Sequence, residues 1–344
     1  PGPGMTAFRP WRLRGRVATP RDGFPLVVGI VNVTPDSFFD GGRHSTLDSA
    51  LEHGRRLLAE GAVILDVGGE SARPGSQPVD EAEEIRRTEP VIRALVQEGA
   101  TVTVDTRRPL VANAALEAGA HGVNDVEGLR NPDMLELCRE FGAGACAMHM
   151  RGSPGTMQDL PEYGNVVDEV GDFLADAASR WKAARLGADA LALDPGIGFG
   201  KLPAHNHELV AATVGFRQRF PDHPWYVGLS RKSWISRLAD VRTDSDRLAG
   251  SLGGAIAAAT LGCDILRVHD GVGKDNFGLM YDTCHGQMVG VNGARQEGEK
   301  ETFPSQVEFI ATLDGRINHI HVIDSDNTCH KDANGEDETS AHPP

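Results

Sequence analysis

Short apolar runs in this chain end, one after another, on residues that can carry charge or donate and accept protons. They are Asn32, Asp66, Asp105, Asn124 with Asp125, His149, Asp194, Ser230 with Arg231 and Lys232, and Arg267 with His269 and Asp270. Any one of these could be a polar strand end or a helix cap. Eight in succession argue for one shared site built of carboxylates, amides and a local cluster of cations. Such a cluster can bind a small anion even in an acidic protein. Nothing in the pattern supplies a covalent nucleophile: there is no GxSxG and no obvious nucleophilic cysteine.

The elements that must position these residues are legible as a repeat. Eight runs, at 26–33, 62–69, 102–106, 122–126, 145–150, 190–196, 225–230 and 265–270, are short, continuous and apolar. That is the pattern of parallel strands buried on both faces. Between most of them lie stretches with helical period, such as 47–61, 79–99 and 246–262. Strands alternating with helices make a parallel α/β protein. Eight such strands, with no GxGxxG after the first, favour a closed TIM (β/α)8 barrel over an open dinucleotide-binding sheet. In that barrel the strand ends converge on one mouth, which turns a list of polar residues into a site.

The 344 residues suit one barrel of about 250 residues with an appendage. A net charge of −15 disfavours nucleic acid or an anionic membrane surface as partner. No run approaches the roughly 18 apolar residues of a membrane span. Residues 1–16 have no apolar run of signal-peptide type. The five cysteines form no CxxC pair and read as reduced thiols, so a cytoplasmic protein is expected. A homodimer is allowed by the sequence but not required.

The stretch GIVNVTPDSFFDGG (29–42) resembles the first signature of the dihydropteroate synthases, and LDVGGESARPG (65–75) resembles the second. VTVDT (102–106), AGAHGVNDV (118–126), MHMRGSPGTMQ (148–158), LDPGIGFGK (193–201), GLSRKSWI (228–235) and GSLGGAIAAATLGCDILRVHD (250–270) follow in the family's order. The resemblance covers about residues 15–270. It implies a pterin-binding barrel that joins 6-hydroxymethyl-7,8-dihydropterin pyrophosphate to p-aminobenzoate, giving 7,8-dihydropteroate and pyrophosphate, with Mg2+ as cofactor.

Three tasks follow for the residues. The aminopyrimidinone edge of a pterin presents N–H donors beside acceptors, which suits buried carboxylates and an amide. The resemblance assigns Asp105, Asn124 and Asp194 to it, with Lys232 donating to the ring acceptors. Pyrophosphate needs cations: Arg267 and His269, two apart on the last strand, point the same way, and Arg73 and Ser71 come from the second loop. Asn32 is the expected Mg2+ contact, one protein oxygen beside phosphate oxygens and water. For p-aminobenzoate the resemblance implies Phe38, Pro74, Phe199, Lys232 and Ser233. Lys232, Arg267, His269 and Arg73 are the expected catalytic group, stabilising a departing pyrophosphate electrostatically. Ala72 stands where the family usually has Thr or Ser, and Phe39 where Ser is common. Both substitutions bear on affinity for p-aminobenzoate and its sulfonamide mimics.

Past residue 270 the repeat fails. Residues 271–344 hold thirteen acidic and five basic side chains. The expected division is an N-terminal extension over 1–14, the barrel over 15–270 and an acidic tail over 271–344, of which 302–316 has the spacing to supply the last barrel helix. Stretches at 277–288 and 315–344 resemble a fragment of the sugar-phosphate isomerase/epimerase barrels, with Asp282, His285, His321 and Asp324 as metal-type residues. Competing readings are a pterin-binding barrel serving methyl transfer, an inactive fusion scaffold, and a sugar isomerase acting through the tail.

Overall fold

In a computed structural model the chain is described at residues 7–20, 24–33, 43–70, 79–152, 162–230, 232 and 244–269. The expectations for Phe38, Phe39, Ser71, Ala72, Arg73, Pro74, Ser233 and the tail from 271 fall outside these residues. An antiparallel hairpin, β1 (Trp11–Leu13) and β2 (Arg16–Ala18), comes first. Eight parallel strands follow: β3 (Leu26–Asn32), β4 (Ile64–Gly68), β5 (Val102–Asp105), β6 (Gly122–Asp125), β7 (Gly144–Met148), β8 (Leu191–Asp194), β9 (Tyr226–Gly228) and β10 (Ile265–Val268). All eight lie inside or within one residue of the expected runs. Their order is β8-β7-β6-β5-β4-β3-β10-β9. A parallel bridge between Leu193 and Trp225, with Leu193 N–H donating to Pro224 O at 2.9 Å, joins the two ends into a barrel.

Helices lie between the strands: α1 (Arg43–Ala59), α2 (Glu81–Gln97), α3 (Pro109–Glu117), α4 (Pro132–Phe141), α5 (Val166–Ala183), α6 (Pro203–Ala211), α7 (Thr213–Arg219) and α8 (Asp244–Thr260). Local chemistry sets several of their ends. Asp80 accepts from Glu83 N at the start of α2, whose first turn is acidic. Asn131 caps α4, Pro132 opens it and Gly142, with φ +62°, closes it. Asn165 accepts from the amides of both Val167 and Asp168 to start α5.

The period of two along each strand does the work that matters for function. Leu26, Val28, Ile64, Cys146, Ala192, Tyr226 and Ile265 point inward and fill the lower barrel, whereas Val27, Val31, Leu65, Val67, Leu191, Leu193, Leu266 and Val268 face the helices. Two residues beyond the inward apolar layer, the same strands carry Asp66, Asp194 and Arg267. One alternation therefore builds a dry floor and a polar mouth.

The bottom is plugged by the hairpin, where Trp11 and Leu13 join the lower core. Trp11 is fully buried, and its indole N–H reaches Ala190 O at 3.3 Å. Gly144 opens β7 without a side chain because the hairpin passes there: a Cβ would lie 2.5 Å from Arg12 O. The boundary expected at residue 15 falls in the turn of this hairpin, both of whose strands belong to the plug.

Candidate active site

Four barrel strands converge on Asp66, which is fully buried. Thr103 Oγ donates to Asp66 Oδ1 at 2.6 Å, and Asn124 Nδ2 donates to Oδ2 at 2.9 Å. Arg267 Nε donates to the same Oδ2 at 2.7 Å while its Nη2 donates to Asp105 Oδ2 at 2.6 Å. Strand register explains the convergence: Asp66 pairs with Thr103, and Asp105 pairs with Asn124. Asp66 uses the Asn124 amide N–H, which turns the Asn124 carbonyl oxygen the other way. That oxygen is buried and has no hydrogen-bond partner. A buried acceptor without a donor is costly in an empty fold, so it marks a place prepared for a donor from outside.

The second cationic group is Lys232. Its Nζ donates to Ile197 O at 2.5 Å and sits 4.6 Å from the centroid of the Phe199 ring. Asp194, at the end of β8, is buried and accepts from Gly196 N at 2.7 Å, so its turn role is real. Only Oδ1 is used there, which leaves the other oxygen for the mouth. Val126, Met148 and Met150, with Phe199 against them, form an apolar wall beside these polar groups. A flat ring could lie on that wall with its edge turned to Asn124, Asp105 and Asp194.

Burial sets the electrostatics. It pushes the Asp105 carboxyl well above the usual carboxylate range, against the opposing pull of Arg267, with the Asp66 charge adding to the rise. Asp194 is raised by burial, with Lys232 opposing. Burial pulls the Lys232 ammonium down to about 8 although Asp194 favours its charge. Arg267 is also desolvated, but Asp66 and Asp105 outweigh that and hold its guanidinium more firmly protonated than usual.

Asn32 ends β3. A Cβ at Gly68 would lie 3.6 Å from Asn32 Oδ1 and 3.7 Å from Asp105 Oδ2, so both oxygens border the same space above Gly68. Oxygen donors of this kind fit a hard divalent cation that keeps most of its water. Among the described residues no group of three or more His, Cys, Asp or Glu side chains is gathered as a metal site. His269 lies past the end of β10, its amide donating to Ser230 Oγ at 3.2 Å.

Of the expected site residues, the structure thus brings Asp105, Asn124, Asp194, Phe199, Lys232 and Arg267 around one mouth, with Asn32 at its rim. Arg267, expected beside a phosphate, has its guanidinium between Asp66 and Asp105, at the polar edge of the mouth. Asp125, which also ends a strand, accepts from Glu127 N and Leu129 N and serves the following turn. Asp66 stands at a strand end in the sequence and carries no expected role there. Its parity with Ile64 on β4 was the available signal, since it places both side chains inside the barrel.

The profile of the pterin binding enzyme family matches residues 28–269. The chain is 44% identical over 247 residues to the dihydropteroate synthase of Escherichia coli strain K12, covering 72% of this chain and 86% of that protein. A solved Xanthomonas albilineans dihydropteroate synthase with 4-aminobenzoic acid superposes with a TM-score of 0.72 at 40% identity, over 82% of this chain and 98% of that one. The same enzyme in complex with 7,8-dihydropteroate gives 0.68 at 38% identity, over 80% and 96%. The match spans the barrel strands and every described residue of the mouth, and on that ground the chain belongs to the pterin binding enzymes, in the dihydropteroate synthase family.

Proposed function

We infer that this chain condenses 6-hydroxymethyl-7,8-dihydropterin pyrophosphate with p-aminobenzoate, releasing 7,8-dihydropteroate and pyrophosphate. The observation that carries this reading is the buried, unpartnered carbonyl oxygen of Asn124 beside the Asp105 carboxylate. Together they are acceptors waiting for an N–H-bearing edge, which the aminopyrimidinone of a pterin supplies.

The chemistry follows from the charges. Asp105, Asn124 and Asp194 accept from the pterin edge, and Lys232 donates to the ring acceptors. As Asp105 takes the substrate N–H groups, Arg267 gives up that contact and keeps Asp66. The C–O bond of the pterin methylene breaks, its electron pair leaves with pyrophosphate, and the amine of p-aminobenzoate forms the new C–N bond and then loses a proton. Buried carboxylates holding the ring favour positive charge developing on the pterin, a preorganised electrostatic effect. Holding the weak aniline nucleophile close supplies the rest. Arg267, His269 and Arg73 are assigned to the leaving group, with Ser71; Phe38, Pro74, Phe199 and Ser233 are assigned to p-aminobenzoate. Asn32 would hold Mg2+, which when bound neutralises pyrophosphate charge.

No covalent enzyme intermediate is called for. The described cysteines, Cys138, Cys146 and Cys263, are buried and free. Burial pushes the Cys138 thiol up to about 12 and the other two well above their ordinary value, so none is a ready thiolate. Their reduced state fits the cytoplasm. Among the described residues no helix is long and apolar enough to cross a membrane.

Turnover with the two substrates and Mg2+ tests the reading directly, and calorimetry with the pterin pyrophosphate isolates the first binding step. Binding of a pterin without any condensation of p-aminobenzoate would favour the methyl-transfer type of barrel.

A further inference from the structure

One buried lysine lies outside the chemistry just described, its ammonium pulled well below the ordinary lysine value by burial, with Asp194 opposing. Lys201 follows the turn after β8, is 4% exposed, and directs its Nζ at four acceptors. These are Gly196 O at 2.9 Å, Phe199 O at 3.0 Å, His149 O at 3.3 Å and His149 Nδ1 at 2.9 Å. The carbonyls can only accept, so the amine donates to them. His149 is neutral, its imidazole pushed down to about 2 by burial and by the charges of Lys201 and Arg151. An apolar side chain of the same length would fill this space without the cost of burying a polar amine. What it could not do is hold three carbonyl dipoles pointed at one spot.

Those carbonyls belong to the segment that frames the mouth. Gly196, Gly198 and Gly200 have φ of +67°, +85° and +62°, a sharply coiled path. It runs hard against the loop after β7: a Cβ at Gly196 would lie 1.8 Å from His149 O, and one at Gly200 would lie 2.4 Å from Arg151 O. On its other side Gly198 N donates to Asn206 Oδ1 at 2.7 Å. Between these anchors sit the two groups that locate Lys232, the Ile197 carbonyl and the Phe199 ring.

We propose that Lys201 is a positioning residue for the substrate site, an internal amine donor that gathers the carbonyls of His149, Gly196 and Phe199 and so fixes the turn that seats Lys232. This rests on the function inferred above, and turnover by the unaltered chain in the same assay tests that function separately.

The test uses the full chain with Lys201→Met, which keeps the volume and removes the amine donor, and Lys201→Ala, which leaves room for propylammonium. Both are expected to melt cooperatively while KM for the pterin pyrophosphate rises about tenfold or more and kcat falls less, as misplacement of a binding group demands. Propylammonium should restore the KM of Lys201→Ala saturably, and propanol should not. Unaltered KM in the two variants, or a raised KM in Lys201→Ala that propylammonium leaves where it is, overturns the proposal and makes Lys201 a packing residue. If neither variant folds, His149 decides. His149→Gln, which keeps an acceptor, should stay near the parent KM while His149→Leu should raise it several-fold; equal KM values for these two overturn the proposal as well.

Discussion

Two buried arginine–aspartate clusters lie at opposite ends of β10, and they are built to different rules. At the bottom, Asp264 is fully buried and fully engaged: Oδ1 accepts from Arg9 N at 2.7 Å and Arg217 Nη2 at 3.1 Å, and Oδ2 accepts from Trp225 N at 2.8 Å. Arg9 spends its other donors on the carbonyls of Phe220, His223 and Arg217. At the mouth, three residues further along, Arg267 bridges Asp66 and Asp105, but the Asn124 oxygen beside them has no partner. A buried carboxylate with both oxygens engaged is held in place, and a buried acceptor without a donor costs stability unless something completes it. The bottom cluster ties the N-terminal segment to the barrel; the mouth cluster is half of an interaction whose other half is the substrate.

The comparison predicts opposite readouts for similar substitutions. Asp105→Asn or Lys232→Ala should weaken pterin pyrophosphate binding by about a hundredfold or more, the cost of leaving a charged hydrogen-bonding group without its partner. The melting temperature should stay close to that of the parent. Tight binding by either variant, measured by calorimetry, would break the mouth assignment.

Both clusters hang on β10, so its outer face sharpens the contrast. Leu266 and Val268 are buried on that face, and the family match ends at residue 269. A barrel strand needs a helix on its outer side. Ending the chain at 270 should destabilise the barrel by roughly 1.5–3 kcal/mol for each of the two side chains laid bare. Ending it at 316 should leave melting and turnover unchanged, because the best amphipathic stretch, 302–316, is kept. If the shorter chain melts and turns over like the parent, the tail has no part in the barrel.

At the bottom, Asp264→Ala leaves Arg9 and Arg217 without their carboxylate. Breaking a buried pair from one side costs about 3–5 kcal/mol. Denaturant titration should find that loss, while KM and kcat of the protein that remains folded stay put. A kinetic defect without a stability loss would mean that the two ends of β10 are coupled.

The difference between the two ends also explains what the sequence could carry. The strands and most of the mouth were legible because a buried parallel strand is a short apolar run and its end is a polar break, both local signals. Arg267, Asp105 and Lys232 are legible in this way. The hairpin plug is not, since Trp11 and Leu13 have no period of their own and become core only against Ile64, Tyr226 and Ile265, far along the chain. Asp66 was half legible: its position was plain, but its role depends on the register that sets Thr103 and Asn124 beside it. Lys201 lies in a glycine-rich motif and has no signal of its own, because four convergent acceptors are a product of the fold.

The smallest expected effect concerns pH, and it separates the two ends without any loss of fold. At the mouth, Asp105 titrates above the usual carboxylate range because it is buried, and Lys232 titrates at about 8 for the same reason. As pH rises through the raised value, Asp105 ionises and becomes a pure acceptor, so binding of an N–H edge strengthens. As pH rises further, through about 8, Lys232 loses its proton, and with it a donor and a charge that pyrophosphate needs. The profile of kcat/KM for the pterin pyrophosphate should therefore rise and then fall by about tenfold per pH unit outside its two limbs, which report the free enzyme. Lys232→Arg makes the assignment testable. A guanidinium stays charged throughout this range, so the alkaline limb should move out beyond pH 9 even though the maximum falls. An alkaline limb that stays at about 8 in Lys232→Arg would assign it to another group, and an acid limb in the ordinary carboxylate range would remove Asp105 from the edge-binding role.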